Sequence, residues 1–417
     1  MAAPQLIVLD ELDAVGTLVE LSATIAAVLS DTELVEVRPH GGGVWRLLPR
    51  GKVGAVRVGD LQVQVNPKEK VGLAHLLFLL GYAGDPGFRP EQVDGVRDDE
   101  LWPALGHSLV QSVEQALALG VLQGYQTRDE SLRTVRGRIR FGDQLKARPG
   151  LLMPIEITHD EFSLDIPENQ IVLAAVHVML GVPRLNPEIR RRLIHLTGPL
   201  SGVSRLRRGS PMPRWQPSRR NARYYGALRL SEIVLRYAAV KPADGGIEVA
   251  SFVVTMWKVF EDFVSTALVE ALRSVPGRTA LQLPARLAGA GDWRSGSIPM
   301  NVDIVHLDPN GVPRVVYDAK YKAASVTGEY AGADHYQMLA YCTALQVPQA
   351  WLVYAAGAGE KRVRRIKNSG IEVVEFPLDL AKPPRQILAR IAELAQASTG
   401  WVGRRFEPAL IGSAVGD

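Results

Sequence analysis

Short apolar–polar alternations run through the first third of the chain, and a period of two marks strands with one buried face. The clearest pair is Gly54-Ala55-Val56-Arg57-Val58 and Leu61-Gln62-Val63-Gln64-Val65, flanking Gly59-Asp60. Two alternating runs around a Gly-Asp turn predict a β-hairpin. Pro67 closes it, and the apolar run from Val71 to Tyr82 predicts a buried helix. The first fifty residues carry shorter alternations broken by Gly41-Gly42-Gly43.

The period then changes. Between Asp98 and Leu122 the residues Leu101, Leu105, Leu109, Val113 and Leu117 recur at helical spacing. Leu132 to Arg140 reads as a basic strand. A helix is predicted from Pro167 to Leu180, with Asp165 as its cap and proline in its first turn. Helical patterns continue over Pro187–Leu196 and Ala222–Tyr237. Lys241-Pro242-Ala243-Asp244-Gly245-Gly246 is the best linker in the chain. Beyond it a helix over Phe252–Leu272 precedes strands at Met300–Leu307 and Arg314–Tyr321. A helix over about Tyr330–Leu345, strands at 350–354, 363–366 and 371–376, and a closing helix at 384–397 follow. This α/β core of roughly 150 residues is large enough to fold alone. The fold class predicted is multi-domain α/β: a β-rich N-terminal domain at 1–145, a helical linking region at 146–248, an α/β domain at 249–397 and a tail at 398–417.

Composition narrows the function. At 417 residues the chain exceeds one ordinary core, and 47% hydrophobic with 22% charged residues is normal for a globular protein. The longest apolar stretches, Val71–Ala83 and Ile171–Val182, fall short of the roughly 20 residues that span a bilayer. The N-terminus lacks a basic region before its short apolar run, so no secretory signal is read there. One cysteine, Cys342, excludes an intrachain disulfide framework and a cysteine-only metal cluster. A cytoplasmic protein with no membrane partner is expected. Net charge is only +4, yet seven arginines lie between Arg205 and Arg223. Arg205, Arg207, Arg208, Arg219, Arg220 and Arg223, with Trp215, Tyr224 and Tyr225 nearby, form either a surface that follows a phosphate backbone or a solvated loop.

The chemistry concentrates near the C-terminal third, where Asp303 precedes Asp318-Ala319-Lys320 on the facing halves of a hairpin. With Asn310-Gly311 as a two-residue turn, Asp303 falls opposite Asp318. With Asp308-Pro309-Asn310-Gly311 as a four-residue loop, it falls diagonal to it. Both registers put the two carboxylates on one face, and Lys320, two residues on, shares it. Asp-x-Lys triplets are common at solvated strand edges, but Val302, Ile304, Val305, Val315 and Val316 mark this pair as buried. Paired carboxylates repel unless a cation or a proton sits between them. Mg²⁺, with Mn²⁺ as a substitute, suits them, polarising a phosphate and lowering the pKa of water. Lys320 would orient the nucleophile or stabilise charge, and the Ala319 carbonyl would complete the metal shell if the strand bends. Glu261 borders an apolar helix stripe and is either a third acid of the site or a helix-surface charge. Gln337 is either a core-edge amide or a group that holds water or phosphate. The chain has no Gly-x-x-x-x-Gly-Lys-Ser/Thr loop, so any nucleotide-driven motor must be another polypeptide.

Asp303, Asp318-Ala319-Lys320-Tyr321, Glu261 and Gln337 resemble the PD-(D/E)xK nuclease core. Over roughly residues 50 to 355 the chain resembles the McrC family, nuclease subunits of the 5-methylcytosine-specific McrBC restriction systems. Val56-Arg57-Val58-Gly59-Asp60-Leu61-Gln62-Val63 through Pro67-Lys68 is similar to that family's N-terminal hairpin. Arg136-Gly137-Arg138-Ile139 is similar to its Arg-Gly-Arg signature, and Asp160-Glu161-Phe162-Ser163-Leu164-Asp165-Ile166-Pro167-Glu168-Asn169 to its Asp-x-Pro-Glu-Asn segment. Two departures stand out: Val302 replaces a common proline, and Gln170 stands where an arginine often follows Asn, altering a local ion pair.

The resemblance implies a restriction-endonuclease-like C-terminal domain in which Asp303, Asp318, Lys320, Glu261 and Gln337 are catalytic. The metal would be held by Asp303, Asp318, Glu261 and the Ala319 carbonyl. It also implies a separate AAA+ GTPase partner of the McrB type, bound through residues before about 145, and modified double-stranded DNA as substrate. Arg136 and Arg138 are then candidates for the partner or DNA surface. Two other readings stand beside the endonuclease: a non-catalytic activator of a motor NTPase with a vestigial site, and a stand-alone exonuclease.

Overall fold

The computed structural model describes residues 5–68, 71–88, 100–207, 209–242, 247–287, 298–321, 332–355 and 359–400. Arg208, residues 98–99 and 330–331 of two predicted helices, 243–246 of the linker and 401–417 of the tail lie outside them. The chain forms two compact units, one of Leu105–Ala250 and one that joins Pro4–Ala104 to Ser251–Asp417. Among the described residues no helix is long and apolar enough to cross a membrane.

The joined unit begins with β1 (Gln5–Asp10), β2 (Thr17–Glu20), α1 (Ala23–Asp31), β3 (Val35–Gly41), β4 (Val44–Pro49), β5 (Val53–Val58), β6 (Leu61–Asn66) and α2 (Leu73–Gly84). The predicted hairpin is present: Val58 stands opposite Leu61, and Gly59 turns the chain at φ +55°. β1 adds to β6 in parallel, so the two strands end at the same edge, Asp10 beside Asn66. Arg57 is buried in β5, donating to Gln62 and lying 3.9 Å from Glu100. That pairing is what makes a buried guanidinium tolerable. The family signature around the hairpin is therefore a folding element.

α3 (Leu101–Leu117) leads into the other unit, which holds β7 (Gly124–Leu132), β8 (Arg138–Ile139), α4 (Phe141–Ala147), β9 (Ile155–Ser163), α5 (Pro167–Leu180), α6 (Pro187–Thr197), α7 (Tyr225–Tyr237) and β10 (Ala238–Pro242), then the start of β11 (Glu248–Val254). The strand predicted over 132–140 shrinks to Arg138–Ile139. Gly137 adopts φ +80°, and a Cβ there would lie 2.3 Å from the Thr158 carbonyl oxygen. The glycine of Arg-Gly-Arg is thus required by close approach to β9. Asp165 does not cap α5; Ile166 holds that position. Asp165 instead accepts from Gln170 (2.7 Å) and from the backbone and hydroxyl of Ser204. Gln170 thus ties the first turn of α5 to Asp165 by a neutral donor. Asn169, fully buried, donates to the carbonyls of Leu122 and Leu164, and Glu168 accepts from Asn221. The Pro-Glu-Asn segment is a staple of this unit.

The rest of the joined unit is α8 (Met256–Ala271), β12 (Arg278–Leu287), β13 (Ile298–Leu307), β14 (Pro313–Lys320), α9 (Gly332–Leu345), β15 (Gln349–Ala355), β16 (Arg362–Arg365), β17 (Glu372–Leu378) and α10 (Pro384–Thr399). The helix predicted from Phe252 starts later, because Phe252 lies in β11, close enough to β5 that only glycine fits at position 54. β12 to β17 form one sheet in the order β12-β13-β14-β15-β17-β16. Tyr317 reaches Ser398 of α10 at 2.6 Å on one face. On the other face Met338, Tyr341 and Cys342 of α9 pack with Val316, Leu352 and Tyr354. α2 docks on α8 through Phe78 and Tyr82, whose rings lie 5.9 and 5.5 Å from Phe263.

Candidate active site

The turn between β13 and β14 is neither of the two read from sequence, but beyond it the strands take the register of the Asn310-Gly311 reading, which aligns Asp303 with Asp318. Asp308 N–H donates to the Val312 carbonyl, and Gly311 turns at φ +81°. The Asp308 carboxylate stiffens the turn by accepting from the N–H groups of Asn310 and Val312 and pairing with Arg314. A shift between His306 and Leu307 then sets Ile304 opposite Tyr317. The ladder stops there, one step before Asp303 and Asp318. From Asp318 to Lys320, β14 is paired with β15 alone. The carboxylates therefore sit where two strands part.

Asp318 has no exposure to solvent, and its carboxyl lies within hydrogen-bonding reach of that of Asp303. Burial first, and Asp303 second, push the Asp318 carboxyl up to about 8, against the pull of Lys320. Lys320 Nζ stands 2.9 Å from Oδ1 and 2.8 Å from Oδ2, but only the Oδ1 approach has hydrogen-bond geometry. Oδ2 is left buried with no donor. An orphaned carboxylate oxygen beside a second carboxylate is a ready place for a positive ion. Among the described residues no three acidic, histidine or cysteine side chains form a metal-holding group. Ala319 stays in regular register with Val353 of β15, so a cation here would depend on the two carboxylates and its own waters, which suits a hard ion.

Glu261, on α8, is half-buried, and burial raises its carboxyl, with Asp303 adding to the rise and Lys320 opposing it. It therefore shares the site's field. Gln337 donates at 2.7 Å to the hydroxyl of Tyr341, which donates to the Asn301 carbonyl. The Tyr341 hydroxyl is pushed up to about 12, by burial first and then also by the charges of Asp303, Asp318 and Glu261. Tyr341 is thus part of the site, and so is Gln282, which the sequence did not signal. Gln282 Nε2 donates to Asp303 Oδ1 at 2.9 Å from a backbone at φ +49°. A left-handed non-glycine residue beside the paired acids is stored strain of the kind found at working sites.

The other sequence candidates lie in the 105–250 unit. Arg223 is spent on packing, donating to the Gly120 carbonyl and lying over Tyr224. Arg205 and Arg207 border a groove with Leu206, Met212 and Lys241, and Arg219 and Arg220 are exposed. Trp215 is occupied by Arg229 and Glu232. Arg136 and Arg138 are exposed on either side of Gly137.

A family model described as McrBC 5-methylcytosine restriction system component matches residues 48–355. The chain is also similar to one in the refined half-complex from the tetradecameric assembly of Thermococcus gammatolerans McrB AAA+ hexamers with bound McrC. That match has TM-score 0.60 and 16% identity, covering 94% of this chain and 100% of that one. A chain in the cryo-EM structure of the Thermococcus gammatolerans McrBC complex matches with TM-score 0.42 at 16% identity, over 66% of this chain and 90% of that one. No curated protein matches the chain.

Proposed function

We propose that this chain, which belongs to the McrBC family of 5-methylcytosine restriction system components, is the McrC-type nuclease subunit, a metal-dependent endonuclease with a PD-(D/E)xK core. The observation that carries this is the buried Asp318 beside the half-buried Asp303, with Lys320 paired to it and its Oδ2 without a hydrogen-bond donor. Asp303 and Asp318 would hold Mg²⁺, with Glu261 reached through water. When bound, the ion would supply Lewis-acid polarisation of a phosphate and a lowered pKa for the attacking water. Gln282 holds Asp303 in line, and Tyr341 with Gln337 walls the site from the α9 side. Lys320 sits where an ammonium neutralises charge growing on the attacked phosphate. Water attacks phosphorus, the bridging oxygen leaves with a proton, and one strand is cut.

The partner reading draws on a second observation. In the 105–250 unit Tyr125 (72%), Phe141 (70%) and Leu152 (86%) are exposed, as are Val135, Leu145 and Leu151. Apolar side chains exposed in this density on one segment mark a docking surface. The similar assembly is of McrC bound to McrB AAA+ hexamers, and a separate AAA+ GTPase is the partner proposed here, with modified double-stranded DNA as substrate. Because the segment lies in a different unit from the acids, the alternative of a non-catalytic activator keeps one observation of its own.

Combining the chain with its GTPase partner, Mg²⁺, GTP and methylated plasmid decides between them. Cleavage lost in Asp318→Asn and Lys320→Ala, with GTP turnover still stimulated, supports the nuclease. Stimulation without cleavage by the unmodified chain would establish the activator instead.

A further inference from the structure

Tyr321 follows Lys320 directly, at the point where β14 is laddered on one side only. Its hydroxyl donates to Glu11 Oε2 at 2.9 Å, and Lys68 Nζ lies 4.1 Å from its ring centre. Glu11 also accepts from the backbone N–H of Lys68 at 3.2 Å. These two residues follow β1 and β6, whose parallel pairing delivers both to one edge. On the third side the ring of Phe260, the neighbour of Glu261, lies 6.0 Å away. One tyrosine is thus fixed by a nearly buried carboxylate, an ammonium and an aromatic ring, while the backbone before it carries the lysine.

We propose that Tyr321 is a positioning residue for Lys320, anchored from the N-terminal sheet by Glu11 and Lys68, so that residues 4–104 belong to the cutting apparatus itself. The proposal rests on the nuclease reading and gives a role to Pro67-Lys68, which the hairpin leaves unexplained. Successive side chains leave a strand on opposite faces, so locking Tyr321 fixes the direction in which Lys320 leaves the backbone. Without the lock, the half-paired end of β14 moves, and Lys320 loses its station beside Asp318.

The test uses the full chain with its GTPase partner and compares Tyr321→Phe, Glu11→Ala, their double variant and Glu11→Gln. Single-turnover cleavage of methylated DNA should fall about tenfold in Tyr321→Phe and in Glu11→Ala, with the DNA concentration for half-maximal rate unchanged. The double variant should be no slower than Glu11→Ala alone, since that change already removes the bond Tyr321→Phe breaks. Glu11→Gln keeps an acceptor oxygen for the tyrosine and should stay within about twofold. A second readout needs no cleavage: acylation of Lys320 by an amine reagent, followed by mass spectrometry, should speed up several-fold in Tyr321→Phe. Multiplicative losses in the double variant, full activity in both singles, or unchanged Lys320 labelling would overturn the proposal. If the unmodified complex cuts nothing, the nuclease reading falls, while the labelling still decides whether Tyr321 holds Lys320.

Discussion

Asp318→Asn should leave the metal-free protein more stable than the parent at high pH, although it removes a candidate catalytic group. The Asp318 carboxyl has no solvent exposure, a second carboxyl against it and a value raised from 3.8 to about 8. A group raised in this way holds its proton more tightly in the folded protein than in the unfolded chain. Its stabilisation is complete below about pH 4 and is lost progressively as pH climbs to about 8. At about 1.36 kcal/mol per pH unit the full gap is worth about 6 kcal/mol. Water entering where β13 and β14 part, and the Lys320 ammonium, return some of that, so roughly 3 kcal/mol should separate the two proteins at pH 8.5. Asparagine has the same shape and no charge, so the difference should shrink to about 1 kcal/mol or less near pH 4.5. Thermal unfolding in EDTA, scanned in steps from pH 4.5 to 8.5, measures this as a gap that opens to roughly 5–10 °C. Adding Mg²⁺ should then close the gap, since an ion that binds only the folded parent at a hundred times its dissociation constant adds about 2.7 kcal/mol. A variant that is less stable than the parent at every pH, or a gap that ignores pH, would refute the account of two acids competing for one proton.

Removing the Asp303 donor with Gln282→Ala should lower cleavage about tenfold while thermal stability holds or rises slightly, as strain at φ +49° is relieved. Gly137→Ala pushes a Cβ to 2.3 Å from the Thr158 oxygen. It should cost about 2–4 kcal/mol, visible as faster amide exchange in β8 and β9. Asn169→Ala leaves the Leu122 and Leu164 carbonyls without their buried donor and should cost about 2–3 kcal/mol in thermal or urea unfolding. Phe141→Ser with Leu152→Ser removes exposed apolar surface, so the melting temperature should hardly move while stimulation of the partner's GTP turnover falls about tenfold.

Much of the site was legible because strands have a strict period of two. Asp303, Asp318 and Lys320 could be assigned to one face without knowing the turn, and the buried valines around them argued for a reason to keep charge there. Gln282 left no trace: Arg278–Leu287 alternates poorly, carries Pro284, and its glutamine matters only through a backbone angle that sequence does not display. β7 and β9 were missed because both faces are largely polar or exposed, which erases the apolar alternation. An apolar run reads the same in a buried strand as in a helix start, so the sequence places Phe252 in a helix although it lies in β11. Asp165 looked like a cap by position, but its partner Ser204 is 39 residues away, and such contacts are invisible to local rules.

The joining of residues 4–104 to 251–417 across an intervening unit bears on how the protein is made. During synthesis the first hundred residues emerge with Phe78 and Tyr82 lacking their α8 partner, and Phe263 arrives only after a further 146 residues of Leu105–Ala250 have left the ribosome. That interval is a window for aggregation or chaperone capture. It also tells an engineer where to cut: a fragment beginning after the linker would bare one side of α8, whereas deleting the intervening unit and bridging 104 to 251 would keep both layers of that helix.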